Sequence, residues 1–190
     1  MSAKEVASHW RALARVYHTF GFNVVPLGAD KRPVIVGVAK NGAAVRFKWE
    51  DWHMQRQEER FFDALLAPAW WTEARGVAAV CGPVSGNLAC IDFDDCHQGV
   101  VEEFLRQVGL PPAYAWTVTT PGGGFHVWLR TTAPLEIPKG KVRRPVIDLP
   151  HAFIEVRWTG HYAALPGSHH PAGGVYRWAF AQPDEAPATL

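Results

Sequence analysis

The amino-acid sequence predicts an α+β fold built around one main core. The chain has 190 residues, of which 48% are apolar and 19% are charged, a balance typical of a globular domain rather than of a disordered segment. Its first part combines helical patterns with a short strand, and the part after residue 76 is rich in strand patterns. This order, α/β first and strand-rich later, favours the α+β class.

The N-terminal region carries the signals of a helix followed by a strand. Ser2 and Glu5 have the spacing of a capping box, and apolar residues then recur every three or four positions as far as Tyr17. Gly21 is placed to end this helix. Residues 22–27 form a short apolar run, which we interpret as a strand entering a loop.

The later elements follow from apolar runs bounded by glycine and proline. Residues 40–56 show no clear pattern, and helices are predicted at about 57–66 and 100–108. The predicted strands cover residues 77–80, 88–94, 115–119, 125–130, 153–158 and 162–165. We expect hairpins between the first two of these strands, between the middle two and between the last two. Residues 182–190 turn to Pro, Ala and acid, typical of a linker or frayed end after a domain of residues 1–181.

Charge and cysteine content exclude several classes of protein. A formal net charge of +1 excludes a histone-like polycation, so any binding of nucleic acid must rely on a local patch of basic residues. The longest stretch without charged residues, 107–129, contains three prolines and a glycine run, so it is no membrane-spanning helix. Cys81, Cys90 and Cys96 are odd in number and lack CxxC spacing, which favours reduced thiols. We therefore expect a cytoplasmic protein without membrane contact.

An acidic pair at the end of one predicted strand is the first candidate site. Side chains alternate along a strand, so Ile91 and Phe93 point into the core while Asp92 and Asp94 share the opposite face. Two carboxylates on one face repel each other unless a cation lies between them, and Mg²⁺ or Mn²⁺ prefers such oxygen ligands. The alternative is an acidic pair that caps the next helix or faces water.

Two further strands repeat this division between an apolar face and a polar face. In one, His126, Trp128 and Arg130 share a face, and the glycine run before it either approaches a phosphate or makes a hairpin turn. In the other, Glu155 and Arg157 share a face, either as a surface pair or as a metal ligand beside a phosphate contact. A strand histidine is often structural. If the strands are neighbours in one sheet, however, their polar residues converge on a single site.

With these motifs in order, the sequence resembles the primase-polymerase (Prim-Pol) domain of the archaeo-eukaryotic primase superfamily. That domain occurs in replication proteins of plasmids, phages and integrated elements. The resemblance covers about residues 15–180. The matching segments are residues 21–27, 31–33, 70–71, 76–82, 91–94, 122–126, 154–157, 166–171 and 174–178.

The resemblance implies an RNA-recognition-like antiparallel catalytic sheet packed against an N-terminal α/β unit. It implies template-dependent nucleotidyl transfer, as a DNA primase, a DNA polymerase or both. Two Mg²⁺ or Mn²⁺ ions would be held by Asp92, Asp94 and Glu155. The implied partners are a single-stranded template or primer-template and nucleoside triphosphates, with deoxyribose or ribose. Such domains are often fused to a helicase domain. This sequence has no nucleoside-triphosphatase motif, so the resemblance allows a helicase domain only elsewhere in the full-length protein.

Further contacts to the incoming nucleotide are implied for one histidine motif and four other residues. These residues are His126, Arg157, Arg130, Ser168 and His170. The chain departs from the family pattern at Gly124, where serine is frequent, at Glu155, where aspartate is frequent, and at Gly167, where proline is frequent. Asp148 is an alternative third metal ligand.

A basic stretch and an aromatic stretch leave their roles open. Lys139, Lys141, Arg143 and Arg144 form either a solvated loop or a contact to the template backbone. The aromatic residues of 47–71 either stack on bases or, as most tryptophans do, pack in the core. Two other functions compete with polymerisation: a metal-dependent nuclease, and a catalytically inactive RNA-recognition-like module that binds single strands.

Overall fold

The structure, a computed structural model, describes residues 2–41, 44–67, 70–137, 142–146 and 149–190. The helices in these residues are α1 (Ala3–Thr19), α2 (Glu59–Leu65) and α3 (Gln98–Gln107). The strands are β1 (Asn23–Leu27), β2 (Ile35–Val38), β3 (Ala44–Arg46), β4 (Gly76–Val80), β5 (Leu88–Asp94), β6 (Thr117–Thr119), β7 (Phe125–Arg130), β8 (Val142–Val146), β9 (Leu149–Arg157), β10 (Tyr162–Ala164) and β11 (Arg177–Trp178). All paired strands among them run antiparallel, which agrees with the predicted α+β class.

These strands form two main sheets and one small hairpin. The first sheet has three strands in the order β1-β4-β10, and the second has six in the order β11-β6-β7-β5-β9-β8. The hairpin β2–β3 lies in the region for which the sequence predicts no element. Strand β5, with its acidic pair, is in the interior of the six-stranded sheet and has β7 and β9 as its neighbours.

Helix α1 covers the three-stranded sheet. Its capping box forms as predicted: the Ser2 hydroxyl accepts from the Glu5 amide, and the Glu5 carboxylate accepts from the Ser2 amide. Trp10, Ala14 and Tyr17 on its apolar face are buried. Every residue of β1 and β4 is buried as well, so this sheet forms the centre of the core. No helix in the described part of the chain is long and apolar enough to cross a membrane.

The six-stranded sheet has one apolar face and one polar face around β5. On the apolar side, the Phe93 ring lies 5.4 Å from the Phe104 ring of α3, and Val101 and Leu105 of the same helix are buried. Alternation then directs the neighbours of Phe93 on β5 to the opposite face. All three cysteines are buried free thiols, in line with the prediction of reduced thiols.

Two of the predicted hairpins are wrong. Strands β4 and β5 belong to different sheets, because β4 is already paired on both sides by β1 and β10. Gly82 redirects the chain between them: its φ is +101°, and a built Cβ would lie 2.7 Å from the Thr159 hydroxyl. Likewise, β9 pairs with β5 and β8, whereas β10 pairs with β4, so the turn at Thr159-Gly160 leads from one sheet to the other. The third predicted hairpin, β6–β7, is confirmed.

The C-terminal residues differ from the predicted linker or frayed end. The Leu190 amide donates to the Arg130 carbonyl at 2.9 Å, and the Arg130 amide donates to the Ala188 carbonyl at 2.8 Å. The Trp116 indole donates to the Glu185 carbonyl at 2.8 Å. Residues 185–190 are therefore tied to the six-stranded sheet beside β7. Composition misses this, because these contacts use backbone groups that any residue type offers.

Candidate active site

Three of the predicted polar residues stand in a row across three adjacent strands. The register pairs Asp92 of β5 with His126 of β7 on one side and with Glu155 of β9 on the other. Directly opposite residues of antiparallel strands point to the same face of the sheet. All three side chains are buried, with residue exposures of 3%, 5% and 2% for Asp92, His126 and Glu155. The pairing of the three strands thus brings their polar side chains together on one face of the sheet.

Arg157 connects the middle and one end of this row. Its Nε and Nη2 donate to Asp92 Oδ2 at 2.9 and 2.5 Å. Its Nη1 lies 3.5 Å from Glu155 Oε1. On the other side, His126 Nε2 lies 3.4 Å from Asp92 Oδ1. Both carboxylate oxygens of Asp92 therefore have a nitrogen neighbour.

These contacts determine the charge of the row. Burial raises the pKa of the Asp92 carboxyl, but His126 and Arg157 lower it by more, so that its pKa lies well below the usual range. Burial lowers the pKa of Arg157, and the Asp92 charge more than reverses this effect. The pair is therefore an ionised carboxylate against a guanidinium cation. A neighbouring phenol, Tyr176, stays neutral because burial and the Asp92 charge raise its pKa to about 12.

A cavity of about 370 Å³ opens over this face. Its sheet wall includes Asp92, Asp94, His126 and Arg157, together with Thr120 of the turn between β6 and β7. Asp94 is half-buried and lies two residues beyond Asp92 on the same face. Glu155 lies on the same face of the sheet, next to Asp92, but it does not line the cavity. A volume of this size is in the range of small-molecule sites.

The opposite wall comes from separate parts of the chain. It is formed by the loop after β1, a tryptophan before a 3₁₀ turn, β10 with the turn before it, and the segment before β11. The residues are Leu27, Lys31, Trp49, Gly160, His161, Tyr162, Ala163, Ala164, His170 and Tyr176. Of these, only His170 is a predicted site residue. Lys31 and Tyr176 lie in segments that match the family, but local sequence pattern assigns them no role.

Gly124 is required by the close approach of the β6–β7 turn to β5. A Cβ built on Gly124 would lie 2.1 Å from the Phe93 carbonyl oxygen, so serine does not fit this backbone position. The Gly124 amide donates to the Thr120 hydroxyl at 3.1 Å. The departure from the family pattern therefore has a steric cause, and the hydroxyl at this edge of the cavity is that of Thr120.

Two predicted nucleotide contacts lie outside the cavity. Arg130 donates from Nη2 to the Phe20 carbonyl at the end of α1, and its guanidinium lies 5.9 Å from the Phe22 ring centroid. Ser168 is fully buried; its hydroxyl accepts from the Val77 amide and donates to the Val77 carbonyl, both at 2.9 Å. These contacts correct the expectation for both residues, because each side chain holds parts of the fold together.

The residues that the structure describes include only part of the basic stretch. Lys139 and Lys141 lie outside the described residues, as does Asp148, the alternative third ligand. Arg143 lies on β8 opposite Glu155, and Arg144 is exposed on the same strand. The predicted loop is thus a strand over 142–146. For the aromatic stretch, Trp71 and Phe62 are fully buried, as the core-packing alternative predicts.

As placed, the described side chains include no group of three histidines, cysteines or carboxylates arranged to hold a metal ion. The contacts of Arg157 give the reason. Its guanidinium donates to Asp92 Oδ2 and lies beside Glu155 Oε1, so its positive charge already offsets the negative charge of Asp92. Asp92 and Asp94 both face the cavity and offer the hard oxygen atoms that Mg²⁺ and Mn²⁺ prefer.

Comparison with known proteins gives one match to a family. The family model described as bifunctional DNA primase/polymerase, N-terminal, matches residues 14–189, nearly the whole chain. No curated protein matches the sequence.

Proposed function

Because the chain belongs to the bifunctional DNA primase/polymerase N-terminal family, we propose that it adds nucleotides to a DNA primer on a single-stranded template. Membership indicates a nucleotidyltransferase with primase or polymerase activity. The finer proposal is that the six-stranded sheet is the catalytic sheet, of the RNA-recognition-like kind, and that the cavity above it receives a nucleoside triphosphate. We also propose that the reaction serves the replication of a plasmid, phage or other mobile element.

The observation that supports this proposal best is the row His126–Asp92–Glu155 in strand register, with Asp94 beside it and a cavity above. Buried carboxylates destabilise a fold unless they are paired, and a purely structural site would not need two carboxylates, Asp92 and Asp94, facing a cavity. A catalytic site for phosphoryl chemistry does need them there, because negative charge must be neutralised where bonds to phosphorus form and break.

The donor set fits divalent ions in part. Asp92 and Asp94 are the cavity-facing ligands, and Glu155 is the proposed third ligand next to Asp92. When bound, Mg²⁺ or Mn²⁺ would lower the pKa of the primer hydroxyl and neutralise the leaving pyrophosphate. Asp92 Oδ2 and Glu155 both lie against Arg157, so their use as ligands requires the Arg157 guanidinium to turn away from them.

A guanidinium released from Asp92 faces the same cavity as the substrate. Arg157 would then donate to phosphate oxygens, for which its planar fork is well suited. His126 lines the cavity next to the Tyr176 ring, with centroids 5.4 Å apart, and would donate to the phosphate or sugar of the same nucleotide. His170, on the opposite wall, is the third proposed contact.

Primer extension tests the function. A labelled primer-template is incubated with the protein and Mn²⁺, with and without nucleoside triphosphates. We expect the primer to lengthen only when triphosphates are present. Shortening in both reactions would indicate a metal-dependent nuclease instead. An unchanged primer that is nevertheless bound by the protein would indicate an inactive single-strand binding module.

A further inference from the structure

Lys31 lies on the cavity wall opposite the carboxylates, in a backbone conformation that is unusual for lysine. Its φ is +60°, in the left-handed region that residues with a Cβ rarely adopt. Neighbouring groups hold the turn in place. The Lys31 amide donates to the Gly28 carbonyl at 3.2 Å, and the Tyr162 hydroxyl donates to the Lys31 carbonyl at 3.3 Å. Strain that is maintained in this way often belongs to a functional site.

The Lys31 side chain extends towards the centre of the site. Its Nζ lies 5.8 Å from the centroid of the Tyr176 ring, the ring that also packs on His126. The face of an aromatic ring attracts a lysine ammonium within about 6 Å of its centroid, so the ring helps to hold the side chain in the cavity. Its field also reaches His170, because burial first and the Lys31 charge second lower the pKa of that imidazole. Lys31 thus belongs to a cluster with Tyr176 and His170 on the wall opposite Asp92.

The sheet wall carries the carboxylates Asp92 and Asp94 beside Arg157, and the other wall carries the Lys31 cation, which suggests how a triphosphate would lie between them. The reacting α-phosphate must be near Asp92 and Asp94, which face the cavity from the sheet. The β- and γ-phosphates extend away from the reacting atom and carry most of the negative charge. A lysine across the cavity can bind them as a point charge, as lysines do in other phosphate sites. A template phosphate is a poorer candidate, since Lys31 shares a cavity with the carboxylates rather than an open groove.

We propose that Lys31 is a nucleotide-binding residue that contacts the β- and γ-phosphates of the incoming nucleoside triphosphate. The assignment rests on the proposed function, and it gives the N-terminal part of the chain a direct role in substrate binding. Neither strand alternation nor the acidic motifs indicate this role, because Lys31 lies in a loop more than sixty residues before Asp92.

The test uses Lys31→Asn, because asparagine tolerates the left-handed region and the substitution removes only the charge and length of the side chain. Binding of ATP and of dATP to the whole chain is measured by calorimetry with Mn²⁺ and without primer. We expect about tenfold weaker binding of either triphosphate, the effect of one lost charge-assisted contact. Binding of the corresponding monophosphates should change by less than about twofold. Lys40→Asn, at an exposed position in the turn after β2, is the matched control and should bind like the unchanged protein.

The possible results distinguish a wrong assignment of Lys31 from a wrong proposed function. If the unchanged protein binds triphosphate and Lys31→Asn binds it equally well, Lys31 is not a ligand and the proposed function stands. If the variant loses monophosphate binding as much as triphosphate binding, the assignment to the β- and γ-phosphates is wrong. If the unchanged protein binds neither triphosphate, the proposed function itself fails, and the assignment fails with it. Thermal melting of Lys31→Asn near that of the unchanged protein shows that the fold is intact.

Discussion

The two walls of the cavity are built in different ways. The sheet wall is a continuous surface of three hydrogen-bonded strands, on which Asp92, His126 and Glu155 have fixed positions relative to one another. The opposite wall is assembled from loops and strand ends that are far apart in the chain, among them the turn at Lys31 and the segment before β11 that carries Tyr176. Only packing brings these parts together.

Under the proposed function, this difference would separate the residues that act in catalysis from those that only bind the nucleotide. Groups that must meet reacting atoms benefit from the sheet wall, because strand register leaves their side chains little freedom. Groups that only hold the charged end of a substrate tolerate the looser wall, where a long lysine side chain adapts to its ligand. We therefore expect substitutions on the sheet wall to affect the rate of nucleotide addition most, and substitutions on the opposite wall to affect nucleotide affinity.

The largest effect is expected for Asp92→Asn, at the centre of the sheet wall. The substitution keeps the shape of the side chain but removes the charge that would hold an ion, so primer extension should fall by at least about 10²-fold. Repulsion between Asp92 and Asp94 alone would predict a more stable variant. The contacts of Asp92 reverse that expectation. Arg157 would lose its buried partner, and the free energy of unfolding should fall by about 1–3 kcal/mol.

Extension assays and thermal melting check both parts of this prediction. Asp184→Asn, at an exposed position, is the control and should leave both quantities unchanged. Extension by Asp92→Asn at more than half the unchanged rate would remove Asp92 from the catalytic group. A higher melting temperature would show instead that carboxylate repulsion outweighs the contact with Arg157.

Strand alternation explains why the sheet wall could be predicted. Asp92, His126 and Glu155 each have apolar neighbours before and after them, so each reads as the polar face of a half-buried strand. The pattern of a single strand does not show that the three strands are neighbours in one sheet. That expectation came from the order of the motifs along the chain. The two wrong hairpins have a related cause. Strands that are close in the sequence were expected to pair, but β4 already pairs with β1 on one edge and with β10 on the other.

The next effect in size concerns the third ligand. Glu155→Gln should lower extension by about 10- to 100-fold, because it removes a buried charge directly beside Asp92. Asp148→Asn, at a position outside the described residues, should lower it by less than about twofold. The two variants are compared at several Mn²⁺ concentrations, since a weakened metal ligand is partly rescued by more metal. A loss in Asp148→Asn alone would transfer the role to Asp148.

A smaller effect is expected for His126→Ala. Its ring lines the cavity beside Asp92, so removal of one contact to a charged phosphate should weaken nucleotide use by about tenfold. Template binding should stay as it is. Extension at varied nucleotide concentration is measured together with single-strand binding and thermal melting. If all three decline in proportion, His126 has a structural role only.

Residues of the same type in similar motifs have different roles, and here the sequence could not decide. Arg130 and Arg157 both end strands of the polar face, yet Arg130 binds the Phe20 carbonyl at the end of α1 while Arg157 binds Asp92. The position of α1 relative to β7 determines which of them faces the cavity. Tertiary packing of this kind leaves no local pattern. It is also why Lys31 and Tyr176, which line the cavity, carried no predicted role.

The smallest effect on catalysis is expected for Ser168→Ala, which separates a structural hydroxyl from a nucleotide contact. The Ser168 hydroxyl joins the segment before β11 to β4 through both backbone groups of Val77. Its loss leaves a buried amide without its partner, and the free energy of unfolding should fall by about 1–3 kcal/mol. Because the hydroxyl does not face the cavity, the nucleotide concentration at half-maximal extension should change by less than about twofold, measured well below the melting temperature. If this concentration rises tenfold while the melting temperature is unchanged, the hydroxyl contacts the triphosphate after all, and the nucleotide site then extends to the start of β4.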